Sequence, residues 1–404
     1  MKNNTLHAYI CPREARNAAD LSSVAPRAAQ KALRFHASFP EYAETPLTVL
    51  PALAKALGVQ CIFVKDESKR FGLNAFKALG GSYAMGCVLA TALGVGGEPD
   101  ELGLPGLTAP RALQVLGTQT FVTATDGNHG RGVAWAAKKL GHRAVVYLPR
   151  GSAAERLENI RAEGAQAFIT ELSYDDAVRK ARRDAEENGW ILLQDTAWDG
   201  YEEVPTHIMQ GYLTLALEIV TQLQRTGEAP PTHLFLQAGV GSFAGAILGF
   251  FAALYGEKCP VSVIIEPESA ACLYETATAG DGALHAAAGD LCTMMAGLAC
   301  GEPCTVSWKI LSAYADAFIT CPDSISADGM RLLGRPRGGD AAIISGESGA
   351  VGAGLLAALM TDPDQDALRS ALGLKADSRV LLISTEGDTD RKNYRDVLKT
   401  EPLK

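Results

Sequence analysis

Between Arg143 and Asp195, short apolar runs rich in β-branched residues alternate with helix-length stretches whose charges fall on one side. The run Arg143 to Leu148 leads into a helical pattern from Ala153 to Glu163, where Glu155, Glu158 and Arg161 mark a solvated face. A second run at Ala167 to Thr170, a charged helical stretch from Tyr174 to Asn188 and a third run at Ile191 to Gln194 complete the rhythm. Strands separated by helices pair through crossovers, which confines such a chain to βα units and a mostly parallel sheet. Further strands are expected at Cys61 to Lys65, Thr120 to Thr123, His233 to Gln237, Ser262 to Glu266 and Arg379 to Ser384. The expected fold class is α/β, with two open, mostly parallel sheets in two domains and a ligand cleft between them.

Two stretches read as boundaries. Leu93 to Pro110 carries five glycines and three prolines with little periodicity, so it is expected to be an exposed, mobile linker. Thr226 to Pro231 reads as a turn before the next strand. They imply a large domain from residues 1–90 and 225–404 and a small one from 91–224.

Composition removes several function classes. With 47% apolar and 21% charged residues the 404-residue chain can bury a large core. A net charge of −9 without a Lys/Arg run gives no electrostatic basis for binding nucleic acid. The 9 cysteines include no C-x-x-C pair, and no histidine stands at zinc-ligand spacing, so neither a metal site nor a disulfide framework is expected. Pairing among Cys272, Cys292, Cys300 and Cys304 stays open. The first twenty residues lack the apolar core of a secretion signal, which points to the cytoplasm. Leu234 to Gly256 is uncharged and about as long as the ~20 residues a membrane helix needs. Gln237, Gly239, Gly241 and Ser242 interrupt it, and a strand, a glycine loop and a helix from Phe243 to Tyr255 is the better reading.

Five constellations carry chemistry. In N-A-F-K-A-L-G-G-S, residues 74 to 82, Lys77 stands among apolar neighbours, a setting that lowers an amine's pKa and suits a Schiff-base nucleophile. A snorkelling surface lysine is the plain alternative. T-D-G-N-H-G-R-G, residues 125 to 132, is a glycine-rich turn opening a helix, suited to an anion, in which Asp126 is the odd member. A simple N-cap with a turn-forming Asn would look the same. Q-A-G-V-G-S-F-A-G-A, residues 237 to 246, can cradle a phosphate with backbone N–H groups and lacks the lysine of a Walker A loop. The acidic cluster of Asp195, Asp199, Glu202 and Glu203 offers acid or cation-binding groups, or only a solvated turn. I-S-T-E-G-D-T-D, residues 383 to 390, leaves the last strand where a site is expected if the sheet is parallel.

A lysine in an apolar setting, an anion-binding turn with Asn, a phosphate loop and a late hydroxyl at a strand end are the parts that hold pyridoxal 5'-phosphate. In that order the chain resembles the fold type II (tryptophan synthase β-like) pyridoxal-phosphate enzymes. The blocks A-F-K-A-L-G-G-S-Y-A, T-A-T-D-G-N-H-G-R-G-V-A-W, Q-D-T-A-W-D-G-Y-E-E-V-P, M-A-G-L-A-C-G-E-P and S-G-E-S-G-A-V-G are similar to those of ammonia-lyases acting on 2,3-diaminopropionate. The resemblance implies that Lys77 carries the cofactor and acts as the base at Cα. It also implies that Gly239, Val240, Gly241 and Ser242 bind the phosphate, that Asn128 contacts the ring hydroxyl and that Thr385 faces the pyridine nitrogen. Asp126 would be a second base on the opposite face, opening the reaction to D and L forms, and Asp195 would pair with the β-ammonium. The implied reaction is α,β-elimination to pyruvate and ammonia in a cytoplasmic homodimer. A serine or threonine dehydratase or a β-replacement enzyme of the same fold is the alternative.

Overall fold

The computed structural model describes residues 6–12, 18–336 and 338–400. The opening segment on which the cytoplasmic expectation rests lies partly outside them. Among the described residues eleven strands fall into two sheets. Four strands, β4 (Thr120–Ala124), β5 (Arg143–Leu148), β6 (Gln166–Ile169) and β7 (Ile191–Leu192), form one sheet in the order β6-β5-β4-β7. Every pairing in it is parallel. The other sheet has seven strands: β1 (His7–Ile10), β2 (Leu47–Val49), β3 (Cys61–Asp66), β8 (His233–Gln237), β9 (Val261–Pro267), β10 (Ala317–Cys321) and β11 (Arg379–Ser384). Their order is β1-β10-β9-β8-β11-β3-β2. The five inner strands run parallel, while β1 and β2 pair antiparallel at the two edges.

The inner strands are buried on both faces, which is why they read as continuous apolar runs. The edge strands β1 and β2 are half exposed and short, and they escape a reading based on apolar runs. β10, A-F-I-T-C, is fully buried but follows the apolar helix Thr305–Tyr314 after two residues, so the two merge into one pattern.

The stretch expected as a mobile linker is corrected by the structure. Residues Pro99–Leu107 form a helix broken at Gly103, and a second helix begins at Pro110. Prolines open both helices at their first turns, where the missing N–H costs nothing. Leu107 is fully buried, and Leu104 N–H donates to Ser38 Oγ at 2.8 Å, so the segment is packed against the helix Pro26–Ala37. The Leu234–Gly256 run is β8, a turn and the helix Ser242–Tyr255. Among the described residues no helix is long and apolar enough to cross a membrane.

A buried charge network ties the long helix Glu203–Thr226 to the seven-stranded sheet. Glu218 accepts from Lys65 Nζ at 2.7 Å and from Arg70 Nη2 at 2.8 Å, and Arg70 also binds Glu67 at 2.8 Å. Thr45 and Gln222 supply further polar partners. Two cations and two carboxylates at full burial balance one another, the condition under which buried charges are tolerated. Burial alone would raise the Glu218 carboxyl, but Arg70 and then Lys65 overcome it and hold its pKa at about 2.

Candidate active site

Parallel strands deliver their following loops to one end of a sheet, and here both sheets aim those ends at one cleft. From the small sheet, β4 leads into Asp126 and Asn128, and β7 into Asp195. From the large sheet, β8 leads into the loop Gly239 to Ser242, and β11 into Thr385. Lys77 enters from the position before the helix Ala78–Ala92. All nine residues to which the family resemblance assigned a role line this cleft. Asp199, Glu202 and Glu203 do not, being exposed.

The loop containing Asp126 lies close to Lys77 because two helices meet at backbone distance. A Cβ added to Gly132, on the helix Asn128–Leu140, would fall 2.8 Å from Ala78 Cα, so only glycine lets that helix approach the residue after Lys77. Thr125 Oγ1 accepts from the N–H groups of Gly127 and Gly130, each at 2.9 Å, which fixes the turn around Asp126.

Lys77 Nζ donates to Asp195 Oδ2 in a short ion pair. The apolar neighbours suggested a lowered amine pKa, and the structure corrects this. Burial does pull it down, but Asp195, joined by Asp126 and, only at high pH, an ionised Tyr212, outweighs burial, so the net shift is upward. Asp195 lies at about 2: burial raises it, and His129, charged in the acid range where Asp195 titrates, together with Lys77 more than compensates. Burial lowers the pKa of His129 itself, leaving the Lys77 ammonium as the cation at neutral pH. Asp126 is raised, chiefly by burial, with Arg156 and Lys77 opposing.

Several residues in the lining or beside it were not singled out from sequence. His129 Nε2 meets the carbonyl of Leu193 at 2.9 Å, and since a carbonyl only accepts, that nitrogen carries the proton. Nδ1 therefore presents a lone pair 3.8 Å from Asp195 Oδ2 and has no hydrogen-bond partner. Tyr174 accepts from Gln194 Nε2 at 3.0 Å and directs its hydroxyl at Asp195 Oδ1, 3.5 Å away. Gln237 Nε2 donates both to the Ile383 carbonyl and to Thr385 Oγ1, at 2.8 and 2.9 Å, so the Thr385 hydrogen is free to point into the cleft. Asn128 Nδ2 donates to Glu386 Oε2 at 2.5 Å. A glutamine at the C-terminal end of the buried strand His233–Gln237, where the site is expected, was the signal for Gln237; single residues such as His129 and Tyr174 carried none.

The site fits pyridoxal phosphate. Gly241 is left-handed at φ 99°, turning the chain into the helix Ser242–Tyr255, whose first N–H groups lack intrahelical acceptors. Ser348 Oγ in the cleft wall and His129 Nδ1 beside Asp195 are buried without partners, as groups awaiting a polar ligand are. An amine, a hydroxyl and an anion cradle thus face one space.

A family model for pyridoxal-phosphate dependent enzymes matches residues 39–386, and the chain belongs to that family, with the fold type II architecture. The chain is 53% identical to the diaminopropionate ammonia-lyase of Salmonella typhimurium over 91% of its own length and 90% of the relative's. It is 50% identical to the enzyme of that description from Escherichia coli strain K12, over 92% and 91% of the two chains. The crystal structure of the Escherichia coli diaminopropionate ammonia lyase in complex with D-serine superposes with a TM-score of 0.90, at 45% identity, covering 98% of this chain and 97% of that one.

Proposed function

We propose that the chain converts 2,3-diaminopropionate and water to pyruvate and two molecules of ammonia by pyridoxal-phosphate-dependent α,β-elimination. The observation that carries this reading is the buried Asp195 carboxylate holding a primary ammonium inside the cleft. In the structure that ammonium is Lys77, and it stands in for the β-ammonium of the substrate. Once Lys77 is engaged by the cofactor, Asp195 and the lone pair of His129 Nδ1 form an acceptor pair in need of a cation. An ammonium with three N–H donors satisfies both, whereas a β-hydroxyl offers one donor and no charge. A wrong substrate leaves the buried carboxylate unpaired, which supports strong discrimination. Pairing also keeps the β-amine protonated until it departs as ammonia.

Bound pyridoxal phosphate would supply the electron sink that makes the Cα proton removable. Gly239, Val240, Gly241 and Ser242 would hold its phosphate, Asn128 its ring hydroxyl, and Thr385 its pyridine nitrogen. Thr385 accepts from Gln237 and so has a hydrogen to donate, which favours an unprotonated ring nitrogen. Lys77 takes the Cα proton from one face. Asp126, whose raised pKa brings it toward the range useful for a base, takes it from the other.

Rates of pyruvate formation from D- and L-diaminopropionate, D- and L-serine and L-threonine test the assignment. Diaminopropionate should dominate by kcat/KM, and a preference for serine or threonine would replace the reading with a dehydratase. Asp126→Asn should reduce turnover of one diaminopropionate enantiomer by about 10²–10⁴-fold, the contribution of a positioned base, and spare the other. Equal loss for both enantiomers would remove the two-base scheme.

The same reading takes 1–90 and 225–404 as the large domain and 91–224 as the small one. It is supported by the four-stranded sheet lying wholly within 120–192 and the seven-stranded sheet wholly outside it. Nine free cysteines, one of them the exposed Cys292, suit a reducing cytoplasm. A homodimer rests on the family resemblance alone.

A further inference from the structure

Behind Lys77, outside the cleft lining, lies a tyrosine that no part of the scheme above uses. Tyr212 sits on the helix Glu203–Thr226 and is fully buried. Its ring is 4.7 Å from Phe76 and 6.2 Å from Phe243, the residues next to Lys77 and to Ser242. Its hydroxyl is buried without a hydrogen-bond partner, and Lys77 and Tyr212 each bear on the other's titration. A buried phenol without a partner carries a desolvation cost that something in the fold must offset.

The helix contact that puts it there is unusually close. A Cβ added to Gly211 would lie 2.4 Å from the Leu79 carbonyl oxygen, and one added to Gly80 would lie 2.6 Å from Tyr212 Cε1. The helix Ala78–Ala92 and the helix of Tyr212 thus touch through two glycines, and the hydroxyl is delivered to the root of the helix that Lys77 precedes.

We propose that Tyr212 is a positioning residue for Lys77, its hydroxyl orienting the amine whenever that amine is free of the cofactor during turnover. A phenol can do this in both protonation states of the lysine: its oxygen accepts from the ammonium, and its O–H donates to the neutral amine. Asp195 can only accept, so it holds the ammonium alone. Burial keeps the phenol protonated across the working range, as its raised pKa requires. The other groups that face Lys77 are Asp195, Asp126, His129 and Cys300, and Tyr174 reaches the same carboxylates.

Tyr212→Phe in the full-length holoenzyme is the test, since it removes the hydroxyl and keeps the ring. kcat should fall roughly 10- to 100-fold with little change in KM, as expected for a misoriented base. The acid limb of kcat, read with the enantiomer that survives Asp126→Asn, should move down by about one pH unit, since the ammonium loses one charge-assisted partner. A readout independent of turnover is the rate at which the stripped full chain takes up pyridoxal phosphate as a function of pH, whose midpoint should move the same way. Wild-type values in all three overturn the inference. So does a loss of activity that only follows bound cofactor or the thermal midpoint, with activity per bound cofactor unchanged. Because the inference rests on Lys77 as the cofactor lysine and base, Lys77→Ala is measured beside it. An active Lys77→Ala overturns the functional reading itself. An inactive Lys77→Ala with a fully wild-type Tyr212→Phe overturns only the role of Tyr212.

Discussion

Lys77→Ala is expected to lose pyruvate formation from diaminopropionate by roughly 10⁴-fold, the upper end of what a positioned base supplies, because nucleophile and base go together. The visible absorbance of the lysine-bound cofactor should vanish with it, even where the cofactor's phosphate is still held by the glycine loop. The variant has a second consequence that separates the lysine's two roles. With its cation gone, the buried Asp195 carboxylate loses a main reason for its pKa of about 2 and should rise. An added primary alkylamine should then bind beside Asp195 and partly restore turnover, more so for small amines than for bulky ones. A variant that keeps its activity and absorbance would show that another group carries the cofactor.

The second large effect is on stability. Glu218→Gln leaves Lys65 and Arg70 facing Glu67 alone, so one positive charge stays buried without compensation. Removing one partner from a buried ion pair costs about 3–5 kcal/mol, and the loss should appear as a lowered denaturant midpoint with an unchanged slope. The pH dependence has a definite sign. Since the carboxyl lies at about 2 when folded against an ordinary value of 4.5, it contributes stability fully above pH 4.5 and loses it as pH falls toward 2. Wild-type protein should therefore show a steep loss across that window, and Glu218→Gln a shallower one. The paired replacement Lys65→Met with Glu218→Leu should cost less than Glu218→Gln, because it removes both charges. A cost below about 1 kcal/mol for Glu218→Gln would mean that the network is hydrated rather than sealed.

The parts of this fold that sequence makes legible are those whose physics is local. β5, β8 and β11 have the bounds their apolar runs indicate, because strands buried on both faces need no partner to announce them. The helix Tyr174–Asn188 likewise matches, its amphipathic charge pattern ending at Gly189 in the left-handed region. What failed was of another kind. Pro99–Leu107 looks like a linker because glycine and proline dominate it, and only its docking beneath Ser38 makes it helical. The candidate site divides similarly. Lys77, Asp126, Asn128 and the glycine loop stand in runs where strand, turn and helix follow in order. His129, Gln237 and Ser348 stand inside the same motif blocks, though only Gln237 carries a signal of its role, whereas Tyr174 and Tyr212 take part through distant packing that no window of sequence shows.

The approach of Gly132 to Ala78 also bears on how such a site can change over generations. The spacing between the lysine and the opposing carboxylate is set by two helices in backbone contact, with no intervening side chain to enlarge or trim. Stepwise mutation therefore cannot tune that separation. On the proposed two-base scheme, a descendant of this chain with a different stereochemical preference would have to replace the group at position 126, leaving the frame around it as it was.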